Sequence, residues 1–385
     1  MIKEVQIKEK KTRQSGLELL KIFGILLIVL SHAVQTLATE YPDFNYFIDI
    51  TTPSTDLTRL ALTLLRQCGI LGNSIFFICS AWFLLDSSKT NFQKILRMVL
   101  DVWVISVLWL IASLLTPGIS LTTELIIKSF TPIINSNNWY VTTYIIFCLI
   151  YPILNLIINR CNQKCHFWIS VLLFSLFIVL PFIFNYTAFS KLPVWISAYF
   201  LLAYFKKYNT SLIQNKKANI ILLILSVLGH TGLVLGTNAF GLYFQNIKIN
   251  LLHWNNNANI FALIFAFSAL NLFKTFNFSS KSINYISSLS LLIYILHENI
   301  LFRQLYRPFV WQWIVDNFGY NNILVWVLIC TIIMFICSIL IAIIYKITLQ
   351  RLIHYISDGF YLIIKKIVNF LFNSKEKRTN NSIGS

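Results

Sequence analysis

A lysine and a histidine stand eleven residues apart in an otherwise apolar stretch, LELLKIFGILLIVLSHAV, residues 17–34. Eleven residues of α-helix turn through about 1100°, a little past three full turns, so Lys21 and His32 share one face about 16 Å apart. That spacing suits an anion anchor at one end of a helix and a base at depth. Glu18 lies one turn before Lys21 and is placed to orient it. The plainer readings are a snorkelling anchor for Lys21 and a hydrogen-bonded core histidine for His32. An ionisable side chain this far inside an apolar run is a functional candidate by default.

A second histidine occupies a similar depth in SSLSLLIYILHENILFR, residues 287–303. Two imidazoles at one level suit buried acid–base chemistry, with His297 as the second group. Glu298 is its neighbour, but adjacent helical residues point in different directions, so which of the two faces a cavity stays open. Lys94 and Arg97 lie one turn apart after LLDSS, a pair suited to an anionic cytosolic ligand or to plain topology charge. Tyr144, in NWYVTTYIIF, is deep enough to line a cavity. Arg303 and Trp311 follow the late histidine, toward the side read as outer. Cys161, Cys165 and His166 are close in sequence, but their spacing matches no zinc pattern, and no metal is expected.

These residues need elements to hold them, and the composition says what kind. Of 385 residues 57% are hydrophobic and 12% charged, more apolar side chain than a wetted domain can hide. The reading is an all-α, polytopic integral membrane bundle of about ten transmembrane helices. The candidate spans are 17–38, 67–85, 98–116, 139–158, 167–185, 192–205, 218–236, 258–273, 283–302 and 323–346. With the N-terminus inside, 24 of the 31 lysines and arginines fall on the cytoplasmic side and both termini are cytoplasmic. The net charge of +17 thus sets topology, and no nucleic-acid partner is expected. Three parts follow: a basic N-terminus 1–16, a membrane domain 17–346, and a tail 347–385 that starts as an amphipathic interfacial helix over about 350–372.

Taken together, these motifs resemble the membrane-bound acyltransferase-3 family. The likeness rests on Lys21 and His32 in the first span, NSIFFICSAWFLL in the second, Lys94-Ile-Leu-Arg97 after it, NWYVTTYIIF, and SLLIYILHENILFR. Lysine stands at 21 and 94 where the family more often has arginine, which keeps charge and loses the planar fork. The resemblance implies a cell-membrane enzyme, of bacterial type, that moves an acetyl group from cytosolic acetyl-CoA to a hydroxyl of a lipid-linked or cell-surface polysaccharide. It implies His32, with His297 or Glu298, as catalytic groups, and Lys21, Lys94 and Arg97 as the CoA-binding groups. Tyr144, Arg303 and Trp311 would meet the saccharide, with membrane lipids and polysaccharide-assembly proteins as partners. A flippase of lipid-linked sugars would use the histidines as proton relays instead. A polysaccharide polymerase is the third class.

Overall fold

The computed structural model describes residues 14–135, 137–184 and 191–382; most of the basic segment 1–16 lies outside them. The described chain is helical, with no strand among these residues. In order the helices are α1 (Ser15–Leu37), α2 (Leu57–Leu84), α3 (Phe92–Leu115), α4 (Thr123–Phe130) and α5 (Trp139–Arg160). Next come α6 (Gln163–Phe174) and α7 (Leu180–Phe184), joined by a π turn, then α8 (Leu192–Tyr208), α9 (Thr210–Gln214), α10 (Lys216–Tyr243) and α11 (Ile260–Phe273). The last are α12 (Lys281–Ser288), α13 (Ser290–His297), α14 (Arg307–Phe318), α15 (Ile323–Thr348) and α16 (Gln350–Ser382).

Short polar side chains set many of the starts. Asn91, Thr122, Asn162, Asn215, Asn259 and Ser280 each accept a backbone N–H two or three residues into the helix they open, satisfying a donor that the first turn leaves without a partner.

The pattern along the long helices is the reverse of a water-soluble fold. The buried residues of α10 are Asn219, Ser226, His230, Val234, Asn238 and Gly241, while Ile220, Ile221, Ile224, Leu225 and Leu228 are exposed. In α15, Thr331, Ser338 and Tyr345 are buried and Ile332, Ile333, Ile336 and Leu340 are exposed. Polar groups turned inward and aliphatic groups turned outward suit hydrocarbon as the solvent. The chain is a multi-pass membrane protein.

Seven helices among the described residues are long and apolar enough to cross: α1, α2, α3, α5, the α6–α7 segment, α10 and α15. The other three expected spans differ for identifiable reasons. Helix α8 has 17 residues, at the lower limit of a crossing. Helix α11 has 14, because Asn259 delays its start. The stretch 283–302 is interrupted after Ser288 and again after His297. There the Asn299 side chain accepts the Leu301 N–H at 3.0 Å and its carbonyl accepts the Arg303 N–H at 2.9 Å, so a new helical turn begins. Glu298 and Asn299 are buried, the condition under which non-helical backbone is tolerated at membrane depth.

The chain divides into two compact, discontinuous units. The first comprises residues 1–35, 49–84 and 161–291; the second comprises 36–48, 85–160 and 292–385. In the first, α1 and α2 approach closely because small residues line the contact. A methyl at Gly72 would stand 2.4 Å from the Gly24 carbonyl oxygen, and one at Gly69 2.5 Å from Ser31 Oγ. Phe77 of α2 stacks on Trp195 of α8 with centroids 4.6 Å apart. In the second unit Leu110, Leu125, Ile300 and Leu301 form a small core, with Trp109 packed on Phe302 and Tyr306.

Candidate active site

The first unit carries Lys21 and His32 on α1, which runs without interruption from Ser15 to Leu37. The rise of that helix separates them by about 16 Å on one face, as the spacing implies. Lys21 Nζ lies 3.6 Å from Glu18 Oε2, and the same oxygen accepts the Ser287 hydroxyl at 2.5 Å. Glu18 is buried, so its charge is met from two sides and Lys21 is held in place. His32 is half-buried. Its neighbour Ser31 hydrogen-bonds to Arg66 at 2.5 Å, which ties this level of α1 to α2.

The second unit carries the late histidine at the helix break. His297 ends α13 and is buried. Its Nδ1 lies 2.6 Å from the Ile293 carbonyl oxygen, which can only accept, so Nδ1 carries the proton and Nε2 is the basic nitrogen. This bond also fixes the ring one turn back along its own helix. Edge-on contact with Tyr294, at 5.9 Å between centroids, supports it from the side.

Glu298, just past the break, is buried between two arginines. Oε1 accepts from Arg303 at 2.9 Å and Oε2 accepts from Arg307 at 3.2 Å. Arg307 is 4% exposed. Two guanidinium groups on one carboxylate make a charge-assisted clamp with both oxygens engaged. Glu298 therefore fits the role of a fixed anion that orders the segment after His297. Tyr41 donates its hydroxyl to the Arg303 carbonyl at 3.3 Å. Burial raises the Tyr41 pKa against the pull of Arg307 and Arg303, so the phenol keeps its proton. Trp311 is 2% exposed, packed within α14 rather than displayed at a surface. Tyr144 is half-buried on α5.

The inner end of α3 departs from the expected arrangement. Lys94 is exposed. Arg97 makes a two-pronged ion pair with Asp358 of α16, Nε to Oδ1 at 2.9 Å and Nη2 to Oδ2 at 2.6 Å. The Arg97 hydrogen bonds hold the Asp358 carboxyl below its usual pKa. One turn along α3, buried Asp101 accepts from Tyr345 at 2.8 Å, from Gln350 at 3.1 Å, and faces His354 Nε2 at 3.1 Å. Arg97 is thus built into a clasp between α3 and the α15–α16 junction.

Four participants escape a reading of the sequence: Arg307, Asp101, Asp358 and Ser287. Arg307 carries a partial signal, since it lies four residues after Arg303 and directly before Pro308. Cys161 and Cys165 place their sulfurs 3.6 Å apart, but His166 turns inward to the Phe200 carbonyl at 3.0 Å and leaves them.

Residues 14–343 match the family model described as an acyltransferase domain. No curated protein and no solved structure matches the chain.

Proposed function

The chain belongs to the acyltransferase-3 family, and we propose that it moves an acetyl group from cytosolic acetyl-CoA to a hydroxyl of a lipid-linked or cell-surface polysaccharide. The observation that carries this reading is α1. One unbroken helix holds Lys21 at the end read as cytoplasmic and His32 about 16 Å further along the same face. That length lets a cation fix the anionic end of a donor while its thioester sits near a base at depth.

In the proposed reaction the acceptor hydroxyl oxygen attacks the thioester carbonyl. His32 takes the hydroxyl proton as the new C–O bond forms. The C–S bond then breaks, and the proton passes to the departing thiolate. His297, with its basic nitrogen set by the Ile293 carbonyl, is the candidate second base, in the other unit. Lys21 and Lys94 are the candidate phosphate-binding cations. Arg97 joins them only by exchanging Asp358, so its share in donor binding is conditional on that exchange. Arg303, Tyr144 and Trp311 are the candidate acceptor-side residues.

The test is proton NMR of surface polysaccharide from cells lacking the protein, complemented with wild type or with His32→Ala. The expected result is loss of acetyl resonances on deletion, return with wild type, and continued absence with a stably expressed H32A protein. General-base removal should cost about 10²–10⁴ in rate. Acetyl groups retained on a glycan that is shortened or missing from the surface would overturn the reading in favour of transport or polymerisation.

A further inference from the structure

Five of the cysteines, Cys68, Cys79, Cys148, Cys330 and Cys337, lie within the long helices α2, α5 and α15. The other two stand in the first unit where α6 begins. Cys161 precedes Asn162, which caps α6, and Cys165 is the third residue of that helix. Their sulfurs are in contact at 3.6 Å.

The surrounding bonds hold the two thiols in register. Asn162 Oδ1 accepts the Cys165 N–H at 2.8 Å, and the Asn162 carbonyl accepts the His166 N–H at 2.9 Å. The Tyr208 hydroxyl donates to the Cys161 carbonyl at 3.4 Å. Little backbone freedom is left for a bond between the sulfurs to remove. The thiols differ in access: Cys165 is exposed and Cys161 half-buried. Burial, and then the neighbouring Cys165 sulfur, raise the Cys161 pKa, so Cys161 keeps its proton at neutral pH.

A structural metal would need four ligands. His166 donates its Nε2–H to the Phe200 carbonyl at 3.0 Å, between the rings of Tyr204 and Tyr208. Among the described residues no third histidine, cysteine or carboxylate joins the two sulfurs in a metal-sized group. A staple for stability fits no better, because a disulfide stabilises least where the loop it closes is shortest. This turn lies on the side read as cytoplasmic, where disulfides are transient and report redox state.

We propose that Cys161 and Cys165 are a reversible oxidation site, a dithiol that closes into a disulfide when hydrogen peroxide reaches the inner face. The Cys165 thiolate attacks one peroxide oxygen. The O–O bond breaks as the S–O bond forms, and the released hydroxide takes the proton given up by the Cys165 thiol, leaving water and a sulfenic acid. The Cys161 sulfur then attacks the Cys165 sulfur. The S–O bond breaks, the S–S bond forms, and the hydroxyl leaves as water with the Cys161 proton. Each sulfur has given one electron to the peroxide, and exchange with a reduced dithiol reverses the change. The proposal does not depend on the acetyl-transfer reading.

The experiment uses the full chain in nanodiscs, reduced, freed of reductant and titrated with hydrogen peroxide beside free glutathione. Remaining thiols are blocked with N-ethylmaleimide. Trypsin cuts after Arg160 and Lys164, so a disulfide joins the peptide 161–164 to the one that begins at Cys165. The expected result is this joined pair, two hydrogens lighter than the two thiol peptides, formed with peroxide and lost with dithiothreitol. Cys161→Ser should abolish the joined pair and leave a Cys165 sulfenic acid that dimedone traps. Both thiols still alkylated after the glutathione is oxidised would overturn the site. So would wild-type Cys165 passing to the sulfinic acid without joining Cys161. A joined pair already complete in protein blocked at lysis from unstressed cells would overturn it too, since the bond would then be permanent.

Discussion

Arg307 and Glu298 form the tightest charge arrangement of the second unit, and removing one side of it tests the role given to the other. Arg307→Met removes one of the two guanidinium groups that hold a buried carboxylate; breaking a buried pair costs about 3–5 kcal/mol. The expected result is a lowered unfolding midpoint for the purified protein in denaturant. A wild-type midpoint would mean that Glu298 does not depend on Arg307. A second residue-scale expectation concerns Lys274. With a pKa near 8 it is about half unprotonated at pH 8, whereas an ordinary lysine near 10.4 is almost wholly charged. An amine-directed acylating reagent at pH 8 should modify Lys274 early, as read by peptide mass spectrometry, and Lys206→Met should slow it by removing the neighbouring charge. These two differ in how far the sequence reveals them. The Glu18–Lys21 pair follows from a spacing of three on one helix. Arg307 reaches Glu298 across nine residues that include a helix break and a π turn, a geometry no periodicity shows.

Helix α16 illustrates the same limit for whole elements. An amphipathic segment after residue 347 is legible from its mixture of apolar and charged residues. Its docking on α3 is not, because Arg97 and Asp358 lie 261 residues apart and each alone reads as a surface charge. The interruption after His297 is hidden for the opposite reason: SLLIYIL and ILF are apolar on both sides, so hydropathy runs straight through Glu298 and Asn299. The α3–α16 clasp carries a pH expectation with a definite sign. The folded Asp358 pKa is depressed, chiefly by its bonds from Arg97. Its contribution is therefore complete above the unfolded carboxylate value of about 3.9 and is lost as pH falls through the lower folded value. Protection of the amides at the start of α16, exchange taken relative to the intrinsic rate at each pH, should hold from pH 8 down to about 5 and fall only below about 4. Asp358→Asn should lose that protection at every pH. Loss of protection already at pH 6 would take control of the clasp away from Asp358.

At the scale of the whole chain, membrane architecture and family are both legible, since an inside-out composition and an ordered set of motifs survive any error in helix ends. The number of crossings is less so, because it turns on segments near the threshold of length. Parity decides it. If only the seven long apolar helices cross, the two ends of the chain lie on opposite sides of the membrane. If α8, α11 and the broken α12–α13 segment also cross, there are ten crossings and both ends are cytoplasmic, as the lysine and arginine distribution requires. A discontinuous crossing is physically sound where its open backbone is buried in protein, and Glu298 and Asn299 meet that condition. We therefore expect single cysteines placed at Lys8 and at Lys377, in a chain otherwise free of cysteine, to resist a membrane-impermeant maleimide in intact cells. Both should react after the membrane is opened. A cysteine at Lys248, in the segment after α10, should react from outside without opening. Labelling of exactly one terminus in intact cells would reduce the crossings to an odd number.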